Sequence, residues 1–399
     1  MNYQKSKLAI DGGCPVRPKK YFLVFGAPSI EKAEMKEVLA CMQSRWIGTG
    51  PRVNRFEQDF AKYKGMRFAI AVNSCTAALH LSMLACLKKD DEVITTPMTF
   101  CATVNAIIHS GAKPVLADCE INTLNISPEA IEKKITKRTK AILVVHFAGR
   151  PCNMNAIRTI ARKHKLIIIE DCAHAIESEY HGIKTGALGE IGCFSFYVTK
   201  NIITGEGGMM TTNKEDLAGC LKILALHGMS KDAWKRFSDQ GYKHYQVVEA
   251  GFKYNMMDLQ AAIGIHQLKR IETYWRKRKT IWEKYQKAFA DLSCVLPEDP
   301  EKNTKHAYHL YTPLIEIERL KKSRDWVLNA LTAENIGVGV HYIPVHLHPY
   351  FQKHLGWRRG DYPHAEWIGS RTISLPLSPA LTGRDVDDVI KAFRKVLGG

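Results

Sequence analysis

The sequence predicts an α/β protein with a mostly parallel sheet in a large domain and a smaller α+β domain towards the C-terminus. Between residues 68 and 198, short apolar runs alternate with longer amphipathic segments, a pattern typical of parallel strands joined by helices. A helical pattern runs over 258–289, and mixed strand and helix patterns follow it. We therefore expect an arm at 1–30, the large domain at 31–257, a connecting helix at 258–290 and the small domain at 291–399.

Two helices are expected ahead of the first strand. The segments 29–45 and 53–63 both have helical spacing of their apolar residues. The first helix carries these residues on one face: Ile30, Met35, Val38, Leu39 and Met42. Buried strands are then expected at 68–72, 92–97, 113–118, 141–146, 166–171 and 193–198. Because these runs are largely apolar, helices should cover both faces of the sheet.

The C-terminal part mixes both types of element. The helix at 258–289 has apolar residues on one side and basic residues on the other, as expected of a spine between two domains. Beyond it, the patterns predict strands at 309–317 and 338–345 and a helix at 323–336. This order predicts the small α+β domain.

Composition and charge exclude several classes of protein. No apolar run approaches the roughly 18 residues of a membrane span, and the N-terminus lacks the apolar stretch of a signal peptide, so we expect a cytoplasmic location. The eleven cysteines include no CxxC pair and are expected to be reduced. The formal charge of +17 would attract anions, but no zinc-finger spacing or RNP motif accompanies the basic runs. Specific nucleic-acid binding is therefore not expected.

The residues after the first strand favour an anion site. The chain passes there from a strand through a polar turn into a helix, which leaves the N–H groups of Ser74, Cys75 and Thr76 without helical partners. These N–H groups, the helix dipole and the two hydroxyls would together favour a phosphate dianion. An ordinary serine cap would produce the same pattern.

Two further side chains follow strands of the same sheet. Phe100 comes just after the run at 92–97, where its ring could stack on a planar ligand or pack in the core. Asp171 ends the run at 166–171, at the edge where open α/β sheets bind ligands. Its carboxylate could keep a ring nitrogen in the protonated, cationic form, or it could cap the following helix.

Lys200 is the candidate for covalent chemistry. It follows the run at 193–198 and precedes a glycine cluster, so its amine would lie in a crowded pocket, partly withdrawn from water. An amine in such a place can lose its proton and form a Schiff base with a carbonyl compound. A lysine at a strand end is more often only solvated. The phosphate turn, the aromatic ring, the acid and the lysine nevertheless follow successive strands, which favours one composite site.

Motifs of other enzyme classes are missing. The sequence has no GxxxxGK[ST] and no HExxH, and TGEGG does not have the GxGxxG order of a dinucleotide site. His341, His346 and His348 lie close together, but no pattern of Cys, Asp or Glu accompanies them. We therefore expect substrate contact or a structural role for these histidines, and no metal.

Several blocks of the sequence, taken in order, resemble the DegT/DnrJ/EryC1/StrS family of pyridoxal-phosphate-dependent nucleotide-sugar aminotransferases. The blocks are WIGTGPRVNRFE, AVNSCTAALHLS, TPMTFCATVNAI, EDCAHAIES, GCFSFYVTKNIITGEGGMM, GFKYNMMDLQAAIGIHQL, VHYIPVHLHPYF and SLPLSPALT. Together they extend over nearly the whole chain.

The resemblance implies a fold-type I aminotransferase, a homodimer with shared active sites and a mostly parallel, seven-stranded sheet. Pyridoxal 5′-phosphate (PLP) would be the cofactor and would pass through its pyridoxamine form. Lys200 would be the catalytic residue that binds the cofactor covalently, and Asp171 would face the pyridine nitrogen. The other implied contacts are Phe100 on the ring, Ser74, Cys75, Thr76 and Ser195 at the phosphate, His174 near the ring hydroxyl, Lys253 and Asn255 from the partner subunit, and His341 and Tyr342 on the substrate.

The resemblance also implies the reaction. Glutamate would donate the amine, and a nucleotide-linked keto sugar of amino-sugar or surface-glycan biosynthesis would accept it. Independently of the resemblance, basic residues such as Arg236 and Arg278 could attract the diphosphate of the sugar by their charge. The LHGMS and GFKYNM blocks are similar to a subgroup that aminates C4 of UDP-4-keto sugars. C3 amination of a dTDP-keto sugar, amination of a cyclitol and a non-enzymatic anion-binding regulator are the alternatives. Lys200 separates the chain from the family's sugar dehydratases, which have a histidine there.

The sequence departs from the family pattern at Cys75, Val198 and Ala225. Many members have a small residue or glycine, a proline and an arginine at these places. The first two differences should only alter packing. The third leaves undefined which residue binds the carboxylate of the amino donor.

Overall fold

The computed structural model describes residues 7–230 and 245–398. Its α-helices are α1 (Lys32–Gln43), α2 (Pro51–Lys64), α3 (Cys75–Cys86), α4 (Cys101–His109), α5 (Pro128–Lys134), α6 (Met154–His164), α7 (Glu215–Ala225), α8 (Asp258–Phe289), α9 (Ile317–Leu320), α10 (Arg324–Ala333), α11 (Pro349–Leu355), α12 (Pro363–Gly369) and α13 (Gly383–Leu397). Its strands are β1 (Phe68–Val72), β2 (Glu92–Thr95), β3 (Lys113–Leu116), β4 (Thr139–Val145), β5 (Ile167–Asp171), β6 (Glu179–Tyr180), β7 (Ile183–Lys184), β8 (Ile191–Ser195), β9 (Gly208–Thr212), β10 (Cys294–Val295), β11 (Thr304–Lys305) and β12 (Leu314–Ile315).

Seven strands form the central sheet, in the order β1-β9-β8-β5-β4-β2-β3. The strands from β8 to β3 in this order pair in parallel, whereas β9 runs antiparallel to both of its neighbours. Six strands of this sheet therefore point one way and β9 points the other. The predicted mostly parallel, seven-stranded sheet is confirmed, although the sequence did not reveal β9.

Apolar residues cover both faces of the sheet. Within β1, Ile70 and Val72 join a cluster formed with α3, α4 and α7, whereas Ala69 and Ala71 join a second cluster formed with α2 and α8. This is the alternation that a strand buried on both faces requires. The sheet is thus a rigid platform whose strand ends can hold side chains in fixed positions.

The long helix predicted at 258–289 is α8, with the same bounds. Its second half buries Trp282, Tyr285 and Phe289 in a C-terminal cluster that includes α10 and α13. Neither α8 nor any other helix in the described residues is long and apolar enough to cross a membrane. The domain boundaries at residues 30, 257 and 290 stay predictions.

The two C-terminal strands predicted at 309–317 and 338–345 are largely wrong. The first contributes β12, which pairs with β10, and isolated bridges from Tyr311 to Leu375 and from Leu314 to Thr372. The second contributes a single bridge between Gly339 and Ser374. Pro313 and Pro344 lie in these segments and lack the N–H group that a strand ladder needs, which explains the loss. The helix predicted between them is α10.

The N-terminal arm packs against the C-terminal helices of its own chain. Arg17 Nη1 lies 2.8 Å from a carboxylate oxygen of Asp385 and 2.8 Å from one of Asp388, both on α13. Glu334 accepts the backbone N–H of Val16 at 2.8 Å. The arm, whose contacts were undecided from the sequence, therefore lies on the C-terminal cluster.

The apolar face predicted for the first helix is exposed. Met35, Leu39 and Met42 of α1 are between 55% and 58% exposed, while the opposite face packs on α8. Glu34, which is buried there, accepts a hydrogen bond from Gln267 of α8 at 2.9 Å. The helix thus turns its polar side inwards and presents its apolar stripe to solvent.

Candidate active site

The predicted site residues gather at one edge of the central sheet. β5 ends at Asp171 and β8 ends at Ser195, while α3 begins at Cys75 after β1 and α4 begins at Cys101 after β2. Because these four strands point the same way, their carboxyl ends and the loops that follow lie on the same side. This edge is the predicted ligand crevice.

Asp171 is buried with two hydrogen-bond donors. Its Oδ2 accepts from Thr103 Oγ1 at 3.0 Å, and its Oδ1 accepts from the N–H of Ala173 at 3.1 Å. Burial raises the pKa of this carboxyl, while the two hydrogen bonds and Lys200 act in the opposite direction. A cationic ligand against Asp171 would therefore favour its ionised form.

Lys200 lies in the loop between β8 and β9. Burial lowers its pKa to about 8, against the attraction of Asp171. Its Nζ has no hydrogen-bond partner among the described residues and is not sealed from solvent. A useful fraction of this amine is therefore unprotonated near neutral pH, as attack on a carbonyl carbon requires.

The N-terminus of α3 has free donors. The Ser74 hydroxyl accepts a backbone N–H of the first turn at 3.1 Å, so this side chain does cap the helix. The N–H groups of Cys75 and Thr76 meet no acceptor within the described residues and remain for an anion. Gly208 packs beside them, since a Cβ there would lie 2.7 Å from the nitrogen of Cys75. The sheet register pairs Gly208 with Ser195, which brings Ser195 to the same place.

His174 and Tyr342 form a hydrogen-bonded pair. Nδ1 of His174 accepts the N–H of Ala148 at 3.3 Å, so the proton of the neutral ring lies on Nε2. Nε2 is 3.1 Å from the Tyr342 hydroxyl and donates to it. Burial and the nearby Lys200 hold the pKa of His174 well below its usual 6.5. This imidazole is therefore neutral, with a fixed tautomer.

Phe100 and His341 lie around the same tyrosine. The Phe100 ring is 58% exposed and its centroid is 6.1 Å from that of Tyr342. Core packing of Phe100 is therefore wrong, and the ring is open for stacking. His341 contacts Tyr342 with 4.9 Å between ring centroids, and its Nδ1 lies 2.7 Å from the hydroxyl oxygen of Ser374.

Asn255 lies beside the edge strand β1, and Lys253 pairs with Leu226 just after α7. Asn255 bridges to Val72, and its Nδ2 donates to the Thr49 hydroxyl at 2.5 Å. Its Oδ1 is buried and has no partner among the described residues. Lys253 is exposed. A buried amide oxygen without a donor is uncommon in folded proteins.

The prediction that Arg278 attracts a diphosphate is wrong. Arg278 is 1% exposed, and its guanidinium is paired with the buried Glu177. The pattern of charges along a helix does not reveal which basic residue is buried, and Arg278 is buried. Arg236 lies outside the described residues.

One group among the described residues has the spacing of a metal site: His146, Glu170 and Cys172. Glu170 already accepts hydrogen bonds from His146 and from three backbone N–H groups of the turn at 186–189. Its oxygens are occupied, so the group is a structural hydrogen-bond cluster. His346, considered from sequence for a metal, is bonded at 3.0 Å to a carboxylate of α12.

Three residues of the crevice were not predicted from sequence. Thr103 orients Asp171, and Ala148 fixes the tautomer of His174. The ring of His309 packs against that of His174 at a tilt, with 4.4 Å between the ring centroids. Only Thr103 had a sequence signal, because it lies one helical turn after Phe100 in the block TPMTFCATVNAI. The other two arrive through tertiary contacts.

Known proteins match the chain over nearly its whole length. It is 46% identical over 386 residues to the spore coat polysaccharide biosynthesis protein SpsC of Bacillus subtilis. The alignment covers 96% of this chain and 99% of SpsC. The PMP form of Spr1654 from Streptococcus pneumoniae, also solved in a PLP form, superposes with a TM-score of 0.87 at 31% identity, covering 94% of this chain and 98% of that one. DesI, solved in the presence of its TDP-sugar product, superposes with a TM-score of 0.85 at 29% identity, and the match covers 98% of this chain and 97% of DesI.

The family profile covers the same length. Residues 28–394 match the profile of the DegT/DnrJ/EryC1/StrS aminotransferase family, and every sequence block quoted above falls within that span. The resemblance first seen in the sequence blocks is thereby confirmed. The chain belongs to the DegT/DnrJ/EryC1/StrS aminotransferase family.

Proposed function

We propose that this chain uses PLP to transfer the amino group of glutamate to a nucleotide-linked keto sugar, at C4 of a UDP-4-keto sugar. The observation that carries the proposal is an open lysine amine, Lys200, whose pKa is lowered to about 8 in the crevice that also holds Asp171. Family membership supports the aminotransferase chemistry, and the PLP and PMP forms of Spr1654 support the cofactor.

The crevice offers one group for each part of PLP. The free N–H groups of α3, with Ser195, suit the phosphate, Asp171 suits the pyridine nitrogen, and the open ring of Phe100 suits the flat face. Lys200 is placed for the covalent bond. When bound, the cofactor draws electrons from the Cα of the donor and carries the amino group to the acceptor.

The protein side chains supply proton transfer and charge. An amine with a pKa of about 8 can take the proton from the Cα of the amino donor and return it, which is the role we assign to Lys200. Asp171 has to stay ionised beside a cationic ring, and the donors from Thr103 and Ala173 favour that form. Tyr342, which accepts from His174, retains its own hydroxyl proton for a ligand oxygen.

The sugar acceptor is supported by the relatives. SpsC is named for spore coat polysaccharide biosynthesis, and DesI was solved with a TDP-sugar product. The choice of UDP and of C4 depends on the blocks at 226–230 and 251–256. C3 amination of a dTDP-keto sugar and amination of a cyclitol are the competing assignments.

The experiment is a competition among acceptors. Purified protein receives ¹⁵N-glutamate with a mixture of UDP- and dTDP-linked 3-keto and 4-keto sugars and a keto-inositol, and the products are identified by mass spectrometry. We expect a ¹⁵N-labelled UDP-4-amino sugar, and none from Lys200→Ala protein. A labelled 3-amino, dTDP-linked or cyclitol product would replace this substrate assignment. Absence of both cofactor absorbance and labelled product would favour the anion-binding regulator.

We also infer a homodimer that completes the site. The exposed apolar stripe of α1 continues along the chain into Trp46 and Ile47, which are 43% and 50% exposed. Asn255 has a buried side-chain oxygen without a hydrogen-bond partner, and Lys253, two residues before it, is exposed. Such a contiguous apolar surface is typical of a subunit interface. We expect Leu39→Glu to give monomers in light scattering and to lose turnover, with Leu39→Met as the matched control. A fully active Leu39→Glu monomer would exclude shared sites.

A further inference from the structure

A stretch of the N-terminal arm, residues 23–29, is fixed to the body of the molecule at both ends. The N–H of Leu23 donates to the carbonyl oxygen of Asn335 at 3.0 Å. At the other end, Nε2 of Gln267 on α8 donates to the carbonyl oxygen of Ser29 at 2.8 Å. The residues between these two hydrogen bonds are therefore held in place.

Two consecutive residues of this stretch contact the crevice. The ring of Phe25 packs against that of His341, with 5.9 Å between the ring centroids and 35° between the ring planes. Gly26 follows with a left-handed φ of +71°, and a Cβ there would lie 3.2 Å from Cγ2 of Thr199. Thr199 is the residue before Lys200. The arm thus forms part of the crevice wall, which the sequence did not predict.

The imidazole of His341 is held by three neighbours. Nδ1 lies 2.7 Å from the hydroxyl oxygen of Ser374. A Cβ on Gly339 would lie 3.3 Å from Cε1 of His341 and 3.4 Å from Cε1 of Phe25, so both rings pack close to this glycine. Of the three neighbours, only Phe25 comes from the arm.

The other nitrogen of His341 is open to a ligand. Nε2 has no hydrogen-bond partner within the described part of the chain and is not among the buried atoms that lack one. The ring contacts those of Tyr342 and His174, with 4.9 Å and 6.3 Å between centroids. Burial, with Lys200 as the next cause, lowers the pKa of His341 to about 3, so the imidazole is neutral. A neutral imidazole suits a sugar hydroxyl better than the carboxylate of an amino donor.

We propose that Phe25 is a positioning residue for the acceptor, because its ring holds the His341 imidazole where the open nitrogen can bind a hydroxyl of the keto sugar. A side chain that is already held loses little conformational entropy when a ligand binds, so Phe25 should improve the affinity for the acceptor. This inference rests on the proposed function, since it requires a sugar acceptor. It does not depend on the nucleotide or on the carbon that is aminated.

The kinetic test measures the two half-reactions separately. The acceptor is the keto sugar that gains ¹⁵N in the competition experiment. Phe25→Ala removes the ring and lets His341 turn, so we expect the KM for the acceptor to rise roughly 3- to 10-fold, the cost of ordering one side chain. The kcat of the acceptor half-reaction and the rate of the glutamate half-reaction should stay within about twofold of the parent, because only acceptor binding is weakened.

Two variants control the kinetic test. Phe25→Tyr keeps the ring and should retain the KM of the parent. Phe22→Ala removes another aromatic ring of the arm, which is 42% exposed and lies beside Gly337, and should also leave the KM in place. If Phe25→Ala does not fold, Phe25→Leu keeps the apolar bulk without the flat ring and should raise the KM in the same direction.

A second readout needs neither acceptor nor turnover. Diethylpyrocarbonate modifies neutral imidazoles, and mass spectrometry of the peptides gives the rate for each histidine in the full-length protein. We expect His341 to react faster in Phe25→Ala than in the parent, relative to the exposed His181, because the ring that packs on it is gone. Phe22→Ala should leave the rate at His341 unchanged.

An unchanged acceptor KM in folded Phe25→Ala or Phe25→Leu protein, or an equal slowing of both half-reactions, would overturn the role of Phe25. An unchanged modification rate at His341 would overturn the contact on which that role depends. If the parent aminates no keto sugar, the proposed function fails and the acceptor role fails with it, even where the modification rates change as expected. Normal amination by the parent with an unchanged KM in the variant would remove only the role of Phe25.

Discussion

Each side of strand β5 carries a buried carboxyl group and a lysine near it, but the two carboxyl groups differ in their hydrogen bonds and in the direction of their pKa shifts. Glu170 and Asp171 are neighbours and both are buried, yet Glu170 accepts four hydrogen bonds and Asp171 accepts two. The pKa of Asp171 is raised by burial, whereas the bonds to Glu170 outweigh burial and lower its pKa. Each side also has a lysine whose pKa burial lowers to about 8: Lys64 near Glu170, and Lys200 near Asp171.

The two sides differ in the hydrogen bonds that their side chains make and in the access of solvent to the lysine amine. Nζ of Lys64 is sealed, 2.8 Å from the carbonyl oxygen of Ile176, while Nζ of Lys200 is open and unpaired among the described residues. A buried ionisable group whose bonds are all made contributes to the fold. A buried ionisable group that has donors or acceptors left without partners can bind a ligand. A shifted pKa alone therefore does not separate a structural lysine from a catalytic one.

The largest contrast is expected between the two lysines. Lys200→Ala should abolish cofactor absorbance in the visible range and amino transfer, because the covalent anchor and the proton carrier are lost together. Lys64→Met should keep both, with a lower melting temperature from the lost contacts to Ile176 and Phe194. Absorbance spectra, glutamate turnover and thermal melts check this, and an active Lys200→Ala protein would remove the basis of the proposed function.

The two carboxylates should separate activity from stability. Asp171→Asn should lower turnover by roughly 10²- to 10³-fold with a small change in stability, because a charge aimed at the reacting system is lost. Glu170→Gln should cost about 2–4 kcal/mol of folding free energy, since its amide NH₂ faces backbone donors, with turnover per folded molecule within a few-fold of the parent. Urea unfolding and kcat measurements distinguish them. The reverse pattern would mean that the two sides have been misassigned.

A smaller effect is expected from the hydroxyl that orients Asp171. Thr103→Val keeps the shape but removes the donor at 3.0 Å, and should lower turnover by about tenfold, the value of one hydrogen bond to a charged group. Thr103→Ser restores the donor and should behave like the parent. Equal activity of the valine and serine variants would show that the hydroxyl has no part in holding the carboxylate.

The smallest effect is expected in the pH dependence of PLP attachment to Lys200. The folded pKa lies below the ordinary 10.5, so the unprotonated amine increases as pH rises through about 8, and PLP attachment to cofactor-free protein should accelerate over that interval. Asp171 favours the ammonium form, so Asp171→Asn should move this midpoint to lower pH. Stopped-flow absorbance between pH 6 and about 10 measures it. A midpoint that stays in place would show that the two groups do not interact.

The sequence predicted those parts of the site that follow directly from strand ends. Asp171, Lys200 and the turn at Ser74 each sit where a buried run stops, and the parallel sheet brings such places together. Ala148 and His309 could not be found this way, since each reaches the crevice through contacts between distant segments. The expected contribution of Lys253 and Asn255 to the site of a partner subunit stays a prediction.

The fold was predicted best where patterns are long and worst where they are short. α8 begins at the predicted residue and ends within one residue of the predicted end, because 32 residues of helical spacing leave little ambiguity. The short C-terminal strands were over-predicted since Pro313 and Pro344 interrupt the ladder. Arg278 was misplaced because a charge in an amphipathic pattern is read as exposed, and this one is instead sealed by Glu177.

The contact of Gly208 with the first turn of α3 limits how this pocket can be remodelled. A Cβ at this position would come within 2.5 Å of the carbonyl carbon of Ser74, so main chain touches main chain with no side chain between them. The depth of the proposed phosphate site is therefore set by backbone thickness, and no repacking of neighbouring side chains can widen it. Under the proposed function, directed evolution towards new acceptors should find its tolerated changes around His341 and Tyr342, whereas Gly208 should resist substitution.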